Sequence, residues 1–170
     1  MFLDLVGFGI VLPLLPFYAT SMGATPFEVG LIMASYSLMQ LVFSPMWGSL
    51  SDRYGRRPLL LLGLFGSAVS YVLFGLASTL GILLLSRVVG GAMGATVPVA
   101  QAIIADSTSP QRRARGMGLI GAAFGLGFIF GPAIGGALSR WGYSVPGFAA
   151  AAVTGLNAIV AVFLLPESLP

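Results

Sequence analysis

Six long apolar runs occupy most of this 170-residue sequence: Phe2–Tyr18, Val29–Trp47, Leu59–Ala77, Leu80–Ala105, Gly116–Leu138 and Pro146–Leu165. A helix crossing the hydrocarbon core of a bilayer needs about 20 mostly apolar residues, and five of the six runs reach that length or come within a residue or so of it. Lipid offers no hydrogen bonds, so each run must pair its backbone internally, and long continuous runs do so as helices. The pattern predicts an all-α integral membrane bundle of six transmembrane helices, a single domain over residues 1–170. The short first run begins at the chain start, so part of its helix is expected to be missing. It carries Asp4 and lacks both a basic leader and an A-x-A site, so it is not read as a signal peptide.

Composition agrees with this reading. Charged residues make up 8% of the chain, against roughly 25% in an ordinary soluble domain. Hydrophobic residues make up 57% and the mean hydropathy is +0.98. The absence of His and Cys removes most zinc sites, thiol nucleophiles and Ser-His-Asp triads. No enzyme activity, metal or cofactor is therefore expected. A net charge of +3 makes no electrostatic footprint for nucleic acid.

The few charges orient the chain. Arg53, Arg56 and Arg57 lie between the second and third runs, and Arg112, Arg113 and Arg115 between the fourth and fifth. The loops on the other side hold Arg140 alone. Such asymmetry places the Arg-rich loops, and both chain ends, in the cytoplasm of a cell whose inner (plasma) membrane holds the bundle. Trp141 and Tyr143 are expected at the outer interface and Trp47 at the inner one. Thr25-Pro26-Phe27-Glu28 reads as a capping box with Pro at the first helical position.

Glycine concentrates in the fifth run, where Gly121 to Gly125 and Gly127 to Gly131 to Gly135 step by four, a spacing that lays a smooth face for close helix approach. Pro132 in the same run removes one backbone donor and is expected to bend the helix. Gly116-Met117-Gly118-Leu119-Ile120-Gly121 matches a dinucleotide fingerprint, but an Arg-rich loop precedes it where a strand is required, so no nucleotide site is expected.

Two ionisable residues fall inside the runs. Asp4 and Arg87 each cost at least about 2.5–3.5 kcal/mol at mid-membrane, so each should face protein or water. Alternatively, Asp4 precedes the true helix start, or Arg87 snorkels to the outer surface. The helix rise places them at different depths, which makes a water link more natural than a direct pair. The hinge Gly48-Ser49-Leu50-Ser51-Asp52-Arg53-Tyr54-Gly55-Arg56-Arg57-Pro58 packs alternating charge into a tight turn, with Asp106 as a second carboxylate nearby.

These segments resemble signatures of the major facilitator superfamily. The hinge matches G-x-L-x-D-R-x-G-R-[RK]. Leu84-Leu85-Ser86-Arg87-Val88-Val89-Gly90-Gly91 is similar to the helix-four motif l-x-x-R-x-x-q-G, with Gly90 where Gln is usual. Gly118, Gly127, Gly131, Pro132, Gly135 and Gly136 fit the antiporter signature of helix five. Asp4, Gly7, Gly9, Pro13 and Pro16 resemble the first-helix motif of tetracycline and drug exporters. The resemblance covers the chain almost end to end. It implies the N-terminal half of a twelve-helix transporter, built as two inverted three-helix repeats.

That resemblance implies proton-coupled efflux of small amphipathic compounds by alternating access. Asp4 and Arg87 would serve proton coupling, and Asp52, Arg53, Arg56, Arg57 and Asp106 would form a cytoplasmic charge cluster. The helix-five Gly-Pro bend would shape the seam between halves, and Gln40 would face the substrate cavity, or else make an interhelical hydrogen bond. The expected partners are the lipid bilayer, protons, a small-molecule substrate, and a missing C-terminal half or a second copy. A truncated, non-transporting membrane bundle that retains the motifs is the alternative.

Overall fold

The computed structural model describes residues 2–165, apart from the side chains of Ser107 and Pro110. The extreme ends of the expected 1–170 domain lie outside the described residues. Among the described residues, six helical stretches are long and apolar enough to cross a membrane. Helix one runs through Phe2–Val11 and Leu15–Ser21, joined by a tight 3-10 turn at Leu12–Leu14. Pro13 lies in that turn and Pro16 in the first turn of the segment after it, positions where a missing N–H is tolerated. Helix two is Pro26–Tyr54, helix three Arg56–Gly75, helix five Pro110–Leu138 and helix six Ser144–Leu164.

Helix four, one run in the sequence reading, divides into Leu80–Ala92 and Thr96–Ser107 while still making a single crossing. The cause is local. Pro98 cannot donate to the carbonyl four residues back and its ring crowds that carbonyl, which belongs to Gly94 at the break. The first segment starts on Thr79, whose hydroxyl accepts from the Ile82 N–H at 3.3 Å.

The capping box at helix two is present in full. The Glu28 carboxylate accepts from the Thr25 N–H at 2.7 Å, and Thr25 Oγ1 accepts from the Glu28 N–H at 3.3 Å. At its other end the chain turns into helix three through Gly55 alone. Gly55 has φ +103 and ψ 153, a conformation that only glycine adopts at no cost, which is the physical reason for a glycine within the hinge motif.

Helix one packs against helices five and six, helix two against helix four, and helix three against helices four and six. Exchanging the first three helices for the last three turns the one–five contact into the four–two contact and maps three–six onto itself. Two inverted repeats produce this pattern. Helix one is the central member, while helices two and five keep most of their surface outside the bundle, Leu41 and Ile129 among their exposed apolar side chains. Trp47, expected at the inner interface, is instead buried, its indole N–H donating to the Ala92 carbonyl at 2.6 Å and tying helix two to helix four.

Candidate functional site

Helix one can sit at the centre because glycines let it. A Cβ on Gly9 or Gly131 would collide with the facing backbone, and Gly127 and Gly135 likewise meet the backbone of Leu5 and Ile10. The helix-five glycines do not share one face, however. Gly118, Gly121, Gly125 and Gly136 look into open space. The two-residue step from Gly125 to Gly127 turns about 200° around the axis, so the runs of four lie on opposite sides. The stripe 127–131–135 therefore grips helix one within this bundle, and Gly118 and Gly136 of the antiporter signature are on the open side.

Both intramembrane charges are buried. Asp4 is 8% exposed and Arg87 2% exposed, so each faces the bundle interior rather than an interface or the outer surface. They form no ion pair with each other. Arg87 lies over the Phe74 ring at 5.3 Å, with its Nε donating to Ser86 Oγ at 3.3 Å, and its Nη2 has no partner. The Oδ1 of Asp4 is likewise buried without a partner. Asp4 lies in the first turn of helix one and shares its cavity with Thr96, which follows the break in helix four. Thr96 comes nine positions after Arg87, on the far side of the break in helix four.

Two cavities that share lining residues flank these charges. One, of about 380 Å³, is lined by Asp4, Tyr36, Gln40, Tyr71, Thr96 and Gln101, among others. The second, of about 510 Å³, is lined by Phe8, Tyr36, Gln40, Arg87 and Phe128, among others. Phe8, Tyr36 and Gln40 belong to both. Gln40 thus faces a cavity from helix two. Tyr36 and Tyr71 lie within electrostatic range of both Asp4 and Arg87. The sequence reading missed both tyrosines, because a Tyr in an apolar run looks like packing.

At the helix two–three hinge, Arg56 joins three elements. Its Nη1 contacts Asp52 one turn back and donates to Ser51 Oγ at 2.6 Å, and its Nε donates to Asp106 Oδ2 at 2.8 Å. Arg57 reaches across to the Val162 carbonyl of helix six. Arg53 lies over the exposed Tyr54 ring at 5.4 Å. The expected cluster thus centres on Asp52, Arg56 and Asp106. No group of three or more potential metal-ligating side chains occurs among the described residues.

The family model described as "Major Facilitator Superfamily" matches residues 1–170. The chain belongs to the Major Facilitator Superfamily. It is 42% identical over 172 residues to the tetracycline resistance protein, class C, of Escherichia coli, covering 98% of this chain and 43% of the relative. It is 35% identical to multidrug resistance protein 2 of Bacillus subtilis (strain 168), covering 99% of this chain and 42% of the relative. The crystal structure of the human organic anion transporter MFSD10 superposes with a TM-score of 0.84 at 33% identity, over 99% of this chain and 46% of that one. The chain therefore spans less than half the length of the relatives it matches. Within the superfamily it has the fold of an N-terminal half, a multi-pass membrane protein from a family of transporters.

Proposed function

We propose that the chain is the N-terminal half of a proton-coupled exporter of small amphipathic compounds, a single six-helix domain working by alternating access in the inner membrane. The observation that carries the proposal is a carboxylate and a guanidinium, both buried and both with an unpartnered atom, beside two cavities that share lining residues. Charges left unsatisfied inside a membrane are costly and mark ion pathways. Asp4 takes up a proton and releases it on the other side of the membrane. Arg87 sets when that happens, since a nearby cation favours the ionised carboxylate and its withdrawal favours proton uptake. Gln40 contributes a polar contact to a substrate in the cavity.

The relatives named for tetracycline and multidrug resistance support a drug-like substrate. The Arg-rich loops favour cytoplasmic ends, which puts the Asp52–Arg56–Asp106 cluster at the cytoplasmic face as a latch between conformations. The uncovered faces of helices two and five, including Gly118 and Gly136, suit docking of a second half. The length comparison favours one further reading, a bundle that does not transport by itself.

Everted vesicles separate these readings by substrate-induced release of an imposed pH gradient. The expected result is no release with this chain alone and release when a C-terminal half is co-expressed. Release in neither case would refute the transport reading.

A further inference from the structure

An unpartnered acceptor on Asp4, beside the Thr96 hydroxyl, and an unpartnered donor on Arg87, with no ion pair between the two residues, define a gap of specific chemistry. What fills it must accept from a guanidinium and donate to a carboxylate; a hydroxyl and a carboxamide both do, and Gln40, which also lines both cavities, has its Nε2 against Gly94, seven residues past Arg87. Helix two also presents a hydroxyl. Tyr36 lines the cavity that holds Asp4 and the cavity that holds Arg87, and Tyr71 lines only the former. The Tyr36 ring is fixed in place by its neighbours. It lies 5.3 Å from the Phe8 ring of helix one, and a Cβ on Gly90 would stand 3.4 Å from its Cε2 and 2.8 Å from Ser70 Oγ. Gly90 is one turn beyond Arg87, at the position where the helix-four motif usually carries Gln. A Cβ there would press on Ser70 and only touch the Tyr36 ring, whereas one on Gly91 would collide with the Tyr36 backbone carbonyl, so the Gly90-Gly91 pair lets helix two come close at Tyr36.

We infer that Tyr36 is a positioning residue that couples Arg87 to Asp4, its hydroxyl bridging the two charges through cavity water. Cavities of about 380 and 510 Å³ have room for water beside polar partners. The ionisable groups facing Tyr36 are Asp4 from helix one, Tyr71 from helix three and Arg87 from helix four. Helix six carries no charged residue, and those of helix five, Arg112, Arg113 and Arg115, are exposed at its start. A displacement of Arg87 is thereby felt at Asp4 without the two residues touching. Tyr71 serves as a control, because it is within electrostatic range of the same charges but packs against Gly7 of helix one and lines only the Asp4 cavity. This inference rests on the proposed roles of Asp4 and Arg87.

The test reads Asp4 directly. The full chain, reconstituted in lipid, is stepped in pH while infrared difference spectra follow the protonated carboxyl band, which Asp4→Asn identifies. Arg87→Ala should shift the midpoint of that band by about one pH unit, a tenfold change in proton affinity. In the Tyr36→Phe background, which keeps the ring and its packing, the same substitution should shift it by less than about a third of that. In the Tyr71→Phe background the full shift should return. Equal shifts with and without the Tyr36 hydroxyl overturn the inference, as does an Asp4 midpoint that ignores Arg87 in the unmutated background. Should Tyr36→Phe fail to insert, ring-labelled tyrosine in the unmutated chain gives a second reading. A tyrosine band that moves with the Asp4 band and persists in Tyr71→Phe supports the bridge, and no moving band overturns it. Because no transport is measured, a failure here is distinguishable from a failure of the efflux reading, which the vesicle experiment decides.

Discussion

Arg56 and Arg87 are the same side chain at opposite ends of a scale of satisfaction. Arg56 meets Asp52, Asp106 and Ser51 at the helix two–three hinge, where both carboxylates are open to water. Arg87 has an aromatic face, one hydroxyl at 3.3 Å and a bare nitrogen in the centre of the bundle. Ordinary stability would favour the reverse, with the better partners given to the more deeply buried charge. A chain that keeps its buried cation underpaired retains a group whose partner can change. The hinge is built to hold one arrangement, and the interior to permit more than one.

The sharpest way to break this contrast is to remove the interior charges. Asp4→Asn and Arg87→Ala, co-expressed with a C-terminal half, should each abolish uphill transport in everted vesicles while membrane insertion, followed by fractionation, stays intact. Removing a costly buried charge should not weaken the fold. Retained transport against a gradient in both variants would sink the coupling roles and reduce Arg87 to a packing residue.

The next largest effect tests what holds Asp4 in the interior. Gly131→Val puts side-chain atoms into the backbone of helix one at Gly9 and Ile10. Overpacking of this kind costs about 1–3 kcal/mol, and more where backbone must move. The loss should appear as a lower unfolding midpoint in detergent. Gly118→Val, on the open side of the same helix, should stay within about 0.5 kcal/mol. Equal losses at the two sites would mean that the stripe 127–131–135 does not distinguish one face from the other.

How far the sequence showed all this depended on the range of each signal. The capping box of Thr25 and Glu28 and the Gly55 turn are local, and four or five residues suffice to read them. The burial of Asp4 and Arg87 follows from their cost in lipid. The break in helix four also had a local sign, Pro98 four residues after Gly94, but a continuous apolar run hid it. The face of each glycine run could be counted, yet spacing alone does not say which face has a partner. Tyr36 was out of reach for a different reason. Its significance comes from the cavities that it lines together with Asp4 and Arg87 of other helices, and those exist only in the packed bundle.

At the hinge the expected effects are smaller, because both carboxylates are open to water although Arg56 itself is buried. Asp106→Asn removes one ion pair and leaves Asp52 and Ser51 on Arg56. Pairs this exposed contribute about 0–1 kcal/mol, and the difference from the unmutated chain should shrink further in 1 M salt, where screening acts within about 3 Å. A salt-independent cost above about 3 kcal/mol would place the hinge in the same desolvated class as the interior and end the contrast.

The smallest effect decides whether Arg53 belongs to the hinge cluster at all. The motif puts it beside Asp52, but its guanidinium lies over the Tyr54 ring, and both side chains are exposed. An exposed cation–aromatic contact is worth about 0.5–1 kcal/mol at most, and nothing in that contact reaches Asp106. Arg53→Ala should therefore leave the unfolding midpoint within about 0.5 kcal/mol of the unmutated chain. More tellingly, it should add to Asp106→Asn with no coupling, since sites that share no partner act independently. A coupling energy above that margin would show that Arg53 takes part in holding Asp106. The hinge would then be a network of more than one cation, and less like a single clamp than the Arg56 contacts suggest.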